Sequence, residues 1–289
     1  MIKKCLFPAA GYGTRFLPAT KAVPKEMLPI LTKPLLQYGV EEALAAGISN
    51  MAIVTGRGKR SIEDHFDNAF ELESQLIGSS KEHYLDDIKS VIEQSTFTYV
   101  RQRQMLGLGH AILTGEPLIG KEAFAVILAD DLCVDDEINL LKKMTKIYDK
   151  HQCSVIAIEE IEITEIEKYG VISGDLIDDT NDTYQVTNMF EKPNKNDLMN
   201  FNPNFSDLNK QPSFMGIIGR YILTPDIFDI LRNMRYEKGS EIQITDALRV
   251  QANQGKVIAH KFNGRRFDCG SVKGYVEATN YFADREGLL

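Results

Sequence analysis

The chain has 289 residues, room for one large or two modest domains, with 43% hydrophobic and 26% charged residues, the balance of a soluble globular protein. Its apolar runs, such as Ala123 to Ala129, fall far short of a bilayer span, so no membrane partner is expected. A formal net charge of −8 argues against a nucleic-acid polyanion as the main partner.

Residues 2–8 read as a buried strand. The start MIKKCLFPAAG lacks the apolar core and small-residue cleavage site of a signal peptide. The strand runs into LFPAAGYGTRFLPATKAVPKEMLPI, Leu6 to Ile30, where glycines, prolines and cations crowd together. Gly11 and Gly13 permit positive φ and close backbone approach, so successive amide groups can face phosphate oxygens, with Arg15, Lys21 and Lys25 supplying charge. The loop is not a P-loop, because no Lys-Ser/Thr pair opens a helix, and Phe16 stands at the sixth position of the G-x-G-x-x-G pattern. The plainer alternative is a glycine turn with solvated cations.

Leu35 to Ala46 is expected as a helix closed by Gly47, and 50–55 as a second buried strand. Ser61 with Asp64 resembles a capping box for a helical stretch over 64–93, broken at IGSS. Residues 96–101 read as a third strand. Just after it, Gln102 can offer both a donor and an acceptor to a pyrimidine edge, and Gly107 and Gly109 precede a helix over 108–114; a surface glutamine beside a glycine loop is the alternative. The strand at 124–129 ends on Asp130 and Asp131, where the open edge of an α/β sheet places its ligands. One of these carboxylates suits Mg²⁺; an N-cap or loop pair is the other reading.

A helix over 137–150 and a strand over 154–160 continue the rhythm. Residues 169–177 and 184–193 flank the polar turn DDTNDT and suggest an antiparallel hairpin. Glu191 and Lys192 close it, pointing to opposite faces if the strand holds. A strand over 213–223 and helices over 225–234, 242–254 and 272–284 follow, the last two bracketing a hairpin in KVIAHKF…RRFDCG. Asp268 at its end is a second metal-facing carboxylate or a turn residue. Four scattered cysteines without C-x-x-C indicate neither a zinc ribbon nor a disulfide framework, and a reducing cytoplasm is the expected compartment. With no linker or repeat, residues 1–289 read as one domain: an α/β fold with a mostly parallel central sheet flanked by helices and an added antiparallel hairpin region.

Taken in order, PAAGYGTRFLPATKAVPKEMLPI, GLGHA, LADDL, YGVI, EKP, GRYIL, EIQITDAL and FDCG resemble the bacterial UDP-glucose pyrophosphorylases, a branch of the sugar-nucleotide pyrophosphorylases. The likeness runs from Leu6 to about Tyr275. It implies a Rossmann-like nucleotidyltransferase fold with a nucleotide-binding half (1–160) and a sugar-binding and oligomerisation half (161–289). It further implies an enzyme joining UTP to glucose 1-phosphate with release of pyrophosphate, and a homodimer or homotetramer. By the same resemblance, Ala10, Gly11, Gly13 and Thr14 contact the nucleotide, and Arg15 and Lys25 neutralise the triphosphate. Glu26 lies near the nucleotide, Gln102 and Gly107 read uracil, and Asp131 contacts substrate. Asp130 and Asp268 hold Mg²⁺. Gly170 and Glu191 bind the sugar, and Lys192 the sugar phosphate. The alternatives are a relative preferring dTTP or another sugar phosphate, and an idle nucleotide-sugar sensor. The sensor would be expected to lack Arg15, Lys25, Asp130 or Lys192, and all four are present.

Overall fold

Strand β1 (Lys4–Pro8) runs through the middle of the molecule with Cys5, Leu6 and Phe7 shut away from solvent. The structure is a computed structural model and describes residues 1–135, 139–177, 182–194, 214–235 and 239–289. After β1 come three short 3₁₀ turns, then β2 (Pro29–Ile30), β3 (Lys33–Pro34), α1 (Leu35–Ala45) and β4 (Asn50–Thr55). There follow α2 (Arg60–His65), α3 (Phe70–Leu76), α4 (Asp86–Gln94), β5 (Thr96–Arg101), α5 (Leu108–Thr114) and α6 (Glu116–Ile119). The middle of the chain supplies β6 (Phe124–Ile127), β7 (Asp131–Val134), α7 (Leu140–His151), β8 (Ser154–Ile161), β9 (Gly170–Leu176) and β10 (Thr183–Glu191). The last stretch contributes β11 (Phe214–Leu223), α8 (Asp226–Asn233), α9 (Ile244–Ala252), β12 (Val257–Lys261), β13 (Arg265–Asp268) and α10 (Val272–Arg285).

Nine strands form one sheet in the order β5-β4-β1-β6-β11-β8-β12-β10-β9. Strands β5, β4, β1 and β6 are parallel neighbours, as is the β8–β12 pair; the remaining pairings are antiparallel. The expected parallel sheet is therefore the first half of the molecule, and β11 reverses direction beside β6.

The period-two alternation of a strand explains why the central strands are apolar throughout. Leu6, Val54 and Val126 enter one core, while Cys5, Phe7, Ile53 and Ile127 enter the core on the opposite face. Through this double core runs an ion pair. Arg220 on β11, 1% exposed, places Nε and Nη2 on the carboxylate of Glu42 from α1.

Several expectations need correction. KVIAHKF…RRFDCG is not a hairpin, because β12 joins β8 in parallel in the large sheet while β13 pairs with β7 in a separate two-stranded sheet. The capping box fails: α2 starts at Arg60, so Ser61 lies inside the helix, and no side chain caps it. The 64–93 stretch divides into α3, a 3₁₀ turn and α4. The first two residues of the expected helix 137–150, most of the turn DDTNDT, and Ser213 lie outside the described residues. Among the described residues no helix is long and apolar enough to cross a membrane, and the four cysteines are free thiols.

Candidate active site

The parallel strands β1, β4, β5 and β6 all end on one edge of the sheet, and the loops leaving them carry the first group of expected residues. Ala10 is buried where the loop leaves β1, and the Ala9 amide donates to Val54 O at 2.9 Å. A methyl group on Gly56, just past β4, would stand 2.8 Å from Ala10 O, so these two turns touch through their backbones. Gly11 has nothing within 4 Å of its side-chain position, which leaves its backbone open to approach. Gly13 adopts φ +66, the left-handed conformation that glycine tolerates, and its carbonyl accepts from Thr20 Oγ1 at 2.7 Å. The chain thereby turns into the 3₁₀ segment Thr14–Phe16, which carries Arg15.

Four charged groups meet there. Lys25 Nζ donates to Asp130 Oδ2 at 2.6 Å, and Arg15 Nη1 donates to Gly270 O at 3.2 Å. A methyl group on Gly270 would lie 2.7 Å from Asp130 Oδ2, 3.0 Å from Asp268 Oδ1 and 3.2 Å from Arg15 Nη1. Only a glycine leaves that space open. Burial acts to raise the Asp130 carboxyl, but Lys25, by charge and hydrogen bond, and then Arg15 hold it below the usual carboxylate range. Asp268 is pushed up by burial and by the neighbouring carboxylate of Asp131, with Arg266 opposing and Asp130 adding to the rise. The pair is thus electrostatically unequal: one carboxylate is compensated by cations and the other is short of them. Next to Lys25, Glu26 is 2% exposed and accepts from Lys59 Nζ at 2.6 Å.

Past β5, Gln102 is 4% exposed. Its Nε2 lies 3.3 Å from Gly107 O and 2.8 Å from His110 Nδ1. Gly107 has φ +92, and a side chain there would meet Glu241 Cβ at 2.8 Å and Ile242 O at 2.9 Å. The segment before α9 presses on this loop through paired backbone bonds, Ile242 N to Leu106 O at 2.7 Å and Gly109 N to Ile242 O at 2.8 Å.

The second group lies where β9 begins and β10 ends. Gly170 and Glu191 are direct partners across those strands. Glu191 Oε2 accepts from Thr245 Oγ1 at 2.6 Å. The strand does not continue through Lys192, which takes φ +44. Its side chain therefore does not alternate away from Glu191, and the two pair at 3.4 Å. The Lys192 amide donates to Tyr169 O at 3.0 Å.

Arg266 ties the two groups together. It donates from Nε to Asp131 Oδ1 at 2.7 Å, from Nη1 to Glu159, and from Nη1 to the Tyr169 hydroxyl at 3.1 Å. Asp131 Oδ2 accepts from the Gly219 amide at 2.7 Å. Each Asp131 oxygen therefore has a partner within the protein, which anchors the turn that presents Asp130.

Residues 6–285 match the family described as Nucleotidyl transferase. The chain belongs to that family. It is 58% identical to the UTP–glucose-1-phosphate uridylyltransferase of Pseudomonas aeruginosa over 97% of this chain and 96% of that protein. Among solved structures it is similar to an apo UDP-glucose pyrophosphorylase, with a TM-score of 0.89 and 56% identity over 99% of this chain and 100% of that one. A UDP-glucose pyrophosphorylase complexed with UDP-glucose superposes with a TM-score of 0.86 at 55% identity, covering 99% of this chain and 100% of that one.

Within this nucleotidyl transferase, sequence reasoning missed the residues that face inward. Arg266, Tyr169, His110 and Thr245 touch expected site residues, and Glu159 touches Arg266, but none carries a local pattern of its own. Arg266, Thr245, His110 and Tyr169 do lie inside quoted stretches, RRFDCG, EIQITDAL, GLGHA and YGVI, which marked their neighbourhoods without giving their roles.

Proposed function

We propose that this nucleotidyl transferase moves UMP from UTP to α-D-glucose 1-phosphate, giving UDP-glucose and pyrophosphate. The observation that carries the chemistry is the meeting of Lys25, Arg15, Asp130 and Asp268 around Gly270, on the edge where the parallel strands end. The choice of substrates follows from the near full-length likeness to the Pseudomonas uridylyltransferase.

A sugar-phosphate oxygen attacks the α-phosphorus in line, and pyrophosphate leaves. That nucleophile is already ionised near neutral pH, so the protein's task is to align two polyanions and steady the charge at phosphorus. Residues 1–160 form the nucleotide half and 161–289 the sugar half. The backbone of Ala10, Gly11, Gly13 and Thr14 lies along the phosphates, with Glu26 nearby, while Arg15 and Lys25 neutralise the triphosphate and the departing pyrophosphate. Gln102 and Gly107 take the uracil, Gly170 and Glu191 the sugar hydroxyls, and Lys192 the sugar phosphate.

A divalent cation fits the donor set. Asp130 and Asp268 are hard oxygen donors bordering one small space, and among the described residues no ion pair is formed by Asp268, whose carboxyl burial and Asp131 push up against the opposing Arg266. Among the described residues no cluster of three potential ligands forms, which suits Mg²⁺, an ion that keeps waters and takes substrate phosphate oxygens. Bound there, Mg²⁺ supplies positive charge to the phosphate oxygens. The same reading makes the protein a cytoplasmic homodimer or homotetramer, checked by light scattering on the purified chain.

The test is pyrophosphate release with Mg²⁺, crossing UTP, dTTP, ATP, CTP and GTP against glucose, galactose and mannose 1-phosphates. Release confined to UTP with glucose 1-phosphate and abolished by EDTA is expected. A maximum at another pair moves the specificity, and no release from folded protein with any pair removes the reading.

A further inference from the structure

The contacts of Gln102 fix which way its amide faces. Gly107 O can only accept a hydrogen bond, so the atom 3.3 Å from it must be the amide nitrogen. The same nitrogen lies 2.8 Å from His110 Nδ1. Two donors cannot share that contact, so Nδ1 is the acceptor and the ring proton sits on Nε2. Partial burial lowers the His110 pKa and favours this neutral ring.

With its NH₂ held by His110 and Gly107, Gln102 has only Oε1 left to offer. No protein donor takes that oxygen among the described residues, and it is not one of the buried atoms left without a partner, so it meets solvent. We propose that His110, seated on α5, is a positioning residue that locks the Gln102 amide with its acceptor outward, selecting nucleotides whose base presents a ring N–H. Uracil carries a proton on N3 and can donate to this oxygen. Cytosine has a lone pair at N3, and the two acceptors would face each other unpaired. A freely rotating amide would turn over and accept cytosine instead; the His110 lock prevents that turn. Thymine also has the N3 proton, so this device does not separate uracil from thymine.

The inference rests on the uridylyl-transfer reading, and its test is arranged so that the two fail separately. His110→Phe keeps the ring's bulk and removes the acceptor; His110→Asn keeps an acceptor near the Nδ1 position. In the Phe variant the UTP-over-CTP ratio of kcat/KM is expected to fall about tenfold, the scale of one neutral hydrogen bond. The change should appear as a higher KM for UTP, with kcat and the KM for glucose 1-phosphate near wild type, and the Asn variant should keep most of the selectivity. A Phe variant as selective as wild type, or an Asn variant as relaxed as the Phe one, overturns the lock while leaving the enzyme reading intact. Wild-type protein that turns over neither nucleotide overturns both. If the Phe variant does not fold, nitrogen NMR of the wild-type histidines decides the matter: an unprotonated His110 Nδ1 is expected, and a protonated one refutes the proposal.

Discussion

Lys25 and Asp130 hold each other at 2.6 Å across 105 residues of chain, so an ammonium and a carboxylate are both set at the sheet edge before any ligand arrives. Asp130→Asn keeps the shape and removes the charge. Its expected result is a markedly weaker dependence of turnover on Mg²⁺, read as a rightward shift in the metal titration, whereas an unchanged titration removes Asp130 as a ligand. Lys192 stands at the other end of the site, with a left-handed backbone that turns its side chain toward Glu191. Lys192→Ala should lower kcat/KM by about 10²-fold or more, the scale of losing a positioned charge contact, while near-normal turnover takes Lys192 out of the mechanism. Both residues were legible in the sequence because a residue meant for a ligand sits at a strand end or in a glycine loop, and those are local features. Arg266, Glu159 and His110 were not. Each acts on another side chain brought near by folding, and charge type alone does not say whether a group faces a ligand or a neighbour.

The elements that carry these residues are held in place by backbone contacts that leave little room. Helix α5, which bears His110, meets the segment before α9 so closely that a methyl group on Gly109 would lie 2.7 Å from Ile242 O and 2.9 Å from a Leu231 methyl. Ile242 O is also the acceptor for the Gly109 amide, so the backbone cannot retreat without losing that bond. Gly109→Ala should therefore cost about 1–3 kcal/mol, the range for overpacking a tight site. Because the shift displaces Gly107 and His110 together, the KM for UTP should rise more than the KM for glucose 1-phosphate. Thermal unfolding and the two KM values check this; an unchanged Tm means that the contact relaxes easily. Strands and helices were readable one at a time from periodicity, and α5 matches its expected range of 108–114. Partnership was readable for the local hairpin, where β9 and β10 pair antiparallel as expected, but not for strands distant in the chain. KVIAHKF…RRFDCG was expected as a hairpin, yet β13 crosses to β7, where Phe267 joins Leu132 and Cys269 in a core covered by Ala278 of α10. Nothing in a strand's own residues names a partner 131 to 137 positions away, and the reward for that pairing comes from a core that exists only once α10 has packed.

At the scale of the molecule, the parallel half and the antiparallel half meet where β6 lies beside β11, and the Arg220–Glu42 pair sits at that seam. Arg220 also donates from Nη1 to Gly219 O at 3.0 Å and Leu128 O at 3.3 Å. Gly219 in turn donates its amide to Asp131 Oδ2, so the turn presenting Asp130 hangs on the same joint. Arg220 is nearly inaccessible and its guanidinium is held firmly charged: burial opposes the charge, but Glu42 more than restores it. Removing one partner strands the other charge in a low-dielectric core. Arg220→Met or Glu42→Leu alone should each cost about 3–5 kcal/mol, whereas replacing both by apolar groups removes the stranded charge and should recover most of the loss. Urea unfolding of the wild type, both single variants and the double variant makes the comparison. A double variant lying near the wild type, with each single variant well below it, identifies the pair as a mutually dependent joint. Single losses that simply add in the double variant would mean that Arg220 acts through its carbonyl contacts and packing. Activity separates the two cases further. If the joint positions the Asp130 turn, the double variant regains stability but keeps a raised Mg²⁺ requirement, because methionine cannot replace the bonds to Leu128 O and Gly219 O.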